Sequence, residues 1–134
     1  MLSLNDIITA SGRYPERIND LDLTPEVKAN IEKLLAKVNP FLAEIGVCDP
    51  IVSSGFRPAS VNAAIPRAAI KSQHLIGCAV DIADKDGKID ELVSRNDCLL
   101  KKYGLWVEDP ISTKGWCHLD MKDRGKRPKN KFIP

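Results

Sequence analysis

Residues 71–84 read KSQHLIGCAVDIAD, an apolar run with a carboxylate in its middle. A buried strand tolerates such a residue only if one of its faces leaves the core. Side chains alternate along Cys78–Ala83. Val80 and Ile82 point one way, toward the core, and Ala79, Asp81 and Ala83 point the other. The two alanines leave room beside Asp81 for something to approach. The stretch GWCHLDM (115–121) repeats the pattern. Cys117, Leu119 and Met121 share an apolar face, and Trp116, His118 and Asp120 share the opposite one. If the two strands are neighbours, Asp81 and His118 converge.

His74 is the second of two histidines in the chain. Seven residues separate it from Asp81, roughly 23 Å if extended, so the two meet only if the chain reverses between them. Gly77 permits that reversal. Two imidazoles and one carboxylate have the composition of a catalytic zinc site with an open fourth position. The same residues also admit a plainer reading: a hydrogen-bonded surface histidine and a strand aspartate paired with Arg or Lys.

The rest of the chain supplies a frame. Ser3 and Asp6 cap a short helix, and residues 11–23 are turn-rich. Thr24-Pro25-Glu26 opens a long helix with apolar positions Val27, Ile31, Leu34, Leu35, Val38, Leu42 and Ile45. Pro40 should kink it and Gly46 should end it. Strands are expected over 51–56, 78–83, 105–109 and 115–121, the last two joined as a hairpin by PISTK. Residues 59–73 read as a loop with one helical turn. After the Asp86-Gly87 turn, one amphipathic helix should run from Lys88 to Gly104. The expected fold is α+β, a small, mostly antiparallel sheet with helices on one face. It forms one domain over 1–134, with the motifs in 24–121 and a basic tail over 122–134.

Composition narrows the function classes. With 43% hydrophobic and 28% charged residues the chain is ordinary globular material. A net charge of +2 and 5% aromatic content speak against a nucleic-acid binder. No apolar run is long enough to insert in a membrane, and the N-terminus lacks the pattern of a secretory signal. Cys48, Cys78, Cys98 and Cys117 have no metal-type spacing and are expected to be free thiols. A monomer is expected.

Four pieces then matter together: SSGFRP (53–58), Asn62, SQHLIGCAVDI (72–82) and WCHLD (116–120). In this order they resemble the signatures of the zinc D-Ala-D-Ala carboxypeptidase and L-alanyl-D-glutamate endopeptidase family, which shares its fold with the Hedgehog signalling domain. The resemblance implies zinc held by His74, Asp81 and His118, and a substrate or transition-state contact from Arg57. It implies bacterial peptidoglycan as the partner. The phage and prophage members are the most similar, which places the protein in the host cytoplasm before it reaches the wall. Ser72 and Gln73 beside His74, and Trp116 on the metal face, are candidate substrate-binding residues; Ser72 can equally cap a turn.

One position departs from the pattern. Many family members carry the catalytic acid three residues before the last histidine, and Gly115 stands there. Hydrolysis needs a carboxylate near the metal. Glu108 is the favoured base, because phage-type relatives often have an acid in that strand, with Asp109 and Asp120 as alternatives. Gly115 also keeps open a non-catalytic zinc-binding module of the same fold. The basic tail reads as a solvated end or as an attraction to anionic wall polymer.

Overall fold

The computed structural model describes residues 1–10 and 21–134; most of the turn-rich stretch lies outside them. Helix α1 is Leu4–Thr9. Its cap is reciprocal: the Asp6 amide donates to Ser3 Oγ at 3.3 Å, and the Ser3 amide donates to the Asp6 carboxylate at 2.7 Å. Helix α2 is Pro25–Glu44, started by Thr24, whose Oγ1 accepts the Val27 amide at 3.3 Å. It ends at Gly46 (φ 87°), where the Val47 amide reaches Leu42 O at 2.9 Å and the Gly46 amide reaches Ala43 O at 3.2 Å.

The helix does not stop at Pro40. Pro40 and Ala36 both lie on the exposed side. The only backbone acceptor that proline orphans, the Ala36 carbonyl, therefore stays open to water.

Five strands follow: β1 Val52–Ser54, β2 Ala79–Asp84, β3 Trp106–Glu108, β4 Gly115–Asp120 and β5 Lys131–Phe132. They line up as β1-β2-β4-β3-β5. All pairs are antiparallel except β3–β5, so the sheet is mixed but mostly antiparallel. Val80, Ile82, Val107, Cys117 and Leu119 form its core face and pack with Ile31, Leu34, Val38, Phe41 and Leu42 of α2. Burying each of the Val, Ile, Leu and Phe side chains among them contributes about 1.5–3 kcal/mol against leaving it exposed. Helix α3 (Ala59–Ala63) is the single turn expected in the 59–73 loop. All four cysteines are free thiols, and among the described residues no helix is long and apolar enough to cross a membrane.

The structure departs from the sequence pattern in three places. The helix expected over 88–104 is two helices, α4 (Lys88–Arg95) and α5 (Asp97–Tyr103). Asn96 breaks it at φ −121°, ψ 28°, and its Nδ2 donates to the Leu92 carbonyl at 2.8 Å. An Asn side chain that bonds the backbone competes with the helical ladder. The basic tail, exposed over most of 122–129, returns to the sheet at its far end. The Val107 amide donates to Asn130 O at 3.0 Å and the Asp109 amide to Phe132 O at 2.8 Å, which makes β5 a fifth strand. Buried Asn130 ties it to the Leu105 carbonyl at 3.0 Å. Lys129 and Lys131 pair with Asp97 and Asp109. A strand of two residues held by backbone bonds leaves no side-chain period to read.

The first strand is also shorter than 51–56, because the chain leaves the sheet after Ser54 to meet α1. The Phe56 amide donates to the Ile7 carbonyl at 2.9 Å. A Cβ on Gly55 would lie 2.2 Å from that same oxygen. Only glycine admits this approach. Gly55→Ala should therefore destabilise the fold by about 2–3 kcal/mol. Gly46→Ala meets nothing within 4 Å and should cost only about 1–2 kcal/mol of left-handed strain. Denaturant unfolding of the two variants checks this; an equal or smaller loss at Gly55 would contradict the packing account.

Candidate metal centre

β2 and β4 pair with Asp81 opposite His118. Directly opposed residues project to the same face, so the register alone brings these side chains together. The β3–β4 ladder pairs Val107 with Leu119, and one step further Glu108 stands across from His118. β5 then sets Phe132 beside Glu108. One row therefore crosses four strands: Asp81, His118, Glu108 and Phe132.

His74 enters from outside the sheet, on the 3-10 helix Gln73–Ile76. Ser72 caps that helix, its Oγ accepting the His74 amide at 3.3 Å. Gly77 ends it at φ 73°, in the reversal the spacing required. A side chain on Gly77 would also meet Ile31 Cγ1 of α2 at 2.7 Å, so the turn is pressed onto the core.

The ligand atoms of His74, Asp81 and His118 all lie within 4.8 Å of one another. Asp81 Oδ1 is 3.3 Å from His74 Nε2 and 2.7 Å from His118 Nδ1. The three residues are 1%, 8% and 8% exposed, so little water competes for them. The remaining ring nitrogens are held from behind. His74 Nδ1 donates to the Gly55 carbonyl at 2.7 Å, which turns Nε2 inward. His118 Nε2 faces Asp120 Oδ2 at 3.2 Å, and its Nδ1 faces inward. Histidine metal ligands are normally oriented in this manner, by a carbonyl or carboxylate on the far nitrogen. Two nitrogens and one carboxylate oxygen, buried and convergent, fit a zinc ion with further coordination positions open.

The electrostatics agree with that donor set. Burial pulls the His118 imidazole toward neutrality, but Asp120 and Asp81 outweigh it and push its pKa up to about 9. Burial raises the Asp81 carboxyl, yet the two histidines hold it well below the usual carboxylate range. Without a metal, His118 carries a proton on the inward nitrogen that a cation would displace.

The other expected residues fall into place unequally. Arg57 is half-buried, and its Nη2 donates to Ser72 Oγ at 3.2 Å. Burial lowers its pKa and the nearby Asp81 charge opposes the shift. Ser72 thus caps the turn and also steadies Arg57. Gln73 opens the 3-10 helix. Trp116 stands opposite Ala83 at the open end of β4, 36% exposed.

Of the three acids weighed as a base, Asp109 is spent on the hairpin. It accepts the Ile111 amide at 3.0 Å and pairs with Lys131 at 2.9 Å. Asp120 is spent behind His118. Glu108 has no hydrogen-bond or ion-pair partner among the described residues. Burial raises its pKa, His118 opposes this, and the Asp81 and Asp120 charges add to the rise. Gly115 begins β4 at φ 97°, a conformation that L side chains rarely adopt, although a Cβ there would meet nothing. The backbone itself disfavours an acid at that position.

Nothing in the residue pattern placed Gly55, Arg124 or Phe132 at this centre. Phe132 meets the His118 ring edge-on with centroids 5.9 Å apart, and the Arg124 guanidinium lies over Phe132. An isolated arginine and phenylalanine in a basic tail carry no such signal.

The family model for peptidase M15 matches residues 6–109. That span includes Arg57, Ser72, Gln73, His74, Asp81 and Glu108 and stops short of Trp116 and His118; the sheet register supplies the last histidine. No curated protein and no solved structure matches the chain at a significant level. The match covers most of the chain, so the protein belongs to the peptidase M15 family of zinc metallopeptidases.

Proposed function

We propose that this protein hydrolyses a peptide bond in the stem of bacterial peptidoglycan as a phage or prophage lytic enzyme. Zinc would be held by His74, Asp81 and His118. The observation that carries the reading is the row Asp81–His118–Glu108, which sets an unpartnered, half-buried carboxylate one strand from the three convergent ligand atoms. When bound, zinc supplies a Lewis acid that acidifies water and polarises a carbonyl.

The chain's own residues account for the rest. Glu108 receives the proton of the attacking water and returns it to the leaving amine. Burial holds its pKa above the ordinary carboxylate value, the direction that makes it a better proton acceptor. Arg57, steadied by Ser72, donates to the developing oxyanion or to a substrate carboxylate. Gln73 and Trp116 border the approach to the site as substrate contacts. Lys122, Lys126 and Arg127 are exposed and have no acidic partner among the described residues; they favour an anionic wall polymer. A second reading, a non-catalytic zinc-binding module, is favoured by Gly115 alone.

Digestion of purified peptidoglycan, with the new termini identified by mass spectrometry, separates the two. The zinc-loaded wild type should release new amino termini. Glu108→Gln should lower kcat by roughly 10²- to 10⁴-fold with zinc content intact. Asp109→Asn should cost about tenfold or less. An inactive wild type with zinc bound would leave the binding module as the function.

Zinc uptake carries its own pH signature. The His118 pKa of about 9 lies above neutrality, so the ring is protonated at pH 7 and must lose that proton to bind. Apparent zinc affinity should rise about tenfold per pH unit from about pH 7 and level off above about 9. Competition against a chelator across that range checks it; a flat profile would show that His118 is not a ligand.

A further inference from the structure

β4 ends on Asp120, which is 1% exposed and surrounded by donors. Its Oδ2 faces His118 Nε2 at 3.2 Å and accepts from Arg124 Nη2 at 2.8 Å. Its Oδ1 accepts from Arg124 Nη1 at 2.7 Å and from the Lys122 amide at 3.0 Å. A carboxylate offers about four lone-pair positions, so the set is full. An amide in its place would turn N–H groups toward donors.

Arg124 is fixed in turn. Its guanidinium lies 3.5 Å from the Phe132 ring centroid and 5.5 Å from that of Trp106. Its Nη1 also donates to the Lys122 carbonyl at 3.0 Å. Phe132 reaches this place only because β5 pairs with β3. The segment after β4 therefore encloses the outer side of the His118 ring with a planar charged pair and an aromatic edge.

We propose that Asp120, clamped by Arg124, is the positioning residue that fixes which ring nitrogen of His118 faces a metal. The proposal rests on the zinc-site reading above. With Nε2–H committed to Asp120, the neutral ring carries its lone pair on Nδ1, 2.7 Å from Asp81 Oδ1. His74 is set the other way, with Nδ1–H on the Gly55 carbonyl and Nε2 inward. The two histidines thus present opposite nitrogens, one chosen by a backbone carbonyl and one by a carboxylate that an arginine four residues further on holds still. The clamp belongs to a segment outside the family match of residues 6–109.

Nitrogen-15 NMR of the imidazoles in zinc-loaded protein reads the arrangement directly. In the wild type, His118 should show a protonated Nε2 and a metal-bound Nδ1, and His74 the converse. Asp120→Ala should weaken zinc binding by about 10- to 100-fold and change the His118 pattern alone. Arg124→Lys keeps the charge but loses the fork, and should give an intermediate loss. If Asp120→Ala does not fold, Arg124→Ala and the wild-type spectrum still decide. Metal binding to His118 through Nε2, or unchanged zinc affinity in both alanine variants, overturns the clamp while leaving the metal centre in place. A wild type that takes up no zinc overturns both.

Discussion

Asp81 faces His118 because β2 and β4 pair in one register, with Val80 against Leu119 and Ile82 against Cys117 on the opposite side. Those apolar pairs lie against α2, and they lock the register: a slip of one residue would turn Val80 and Ile82 to solvent and the two polar residues into the core. The same burial that stabilises the sheet therefore fixes the distance between a carboxylate and an imidazole. Glu108 and Phe132 inherit their places from this row through β3 and β5.

His74 depends on a second constraint, the tight meeting of α1 with the end of β1. Gly55 must lack a side chain for the Ile7 carbonyl to reach the Phe56 amide, and the Gly55 carbonyl then receives His74 Nδ1. The 3-10 helix that carries His74 is capped by Ser72 at one end and by Gly77 against α2 at the other. Helix packing, a glycine contact and a turn thus converge on the orientation of one ring. At the far side, the charged pair Asp120–Arg124 does the same for His118. A buried carboxylate with a bidentate arginine has a narrow set of geometries, which suits it to hold a ring more than to stabilise the fold.

Much of this centre was legible in the sequence. Strand alternation separated Asp81 and His118 from the core, and Gly77 supplied the reversal that returns His74. Alternation works here because one face of each strand is almost wholly apolar. What escaped was held by backbone bonds or by single side-chain contacts that leave no periodic pattern. β5 is two residues with no period. The break at Asn96 comes from a side-chain bond to Leu92 O that the amphipathic pattern conceals. Asp120 shared a face with His118 and so resembled a candidate base; only the arrival of Arg124 from the C-terminal segment shows that all its acceptor positions are taken. Pro40, expected to bend α2, lies inside that helix on the side where solvent can satisfy the orphaned carbonyl.

X-ray absorption at the zinc edge, on protein loaded with one equivalent of zinc, reads the donor set of the His74–Asp81–His118 centre. The expected spectrum is that of a single tightly bound ion with two imidazoles and oxygen as ligands, and that signature should be lost in both His74→Ala and His118→Ala. A first shell with sulfur, or an unchanged spectrum in the two variants, would contradict it.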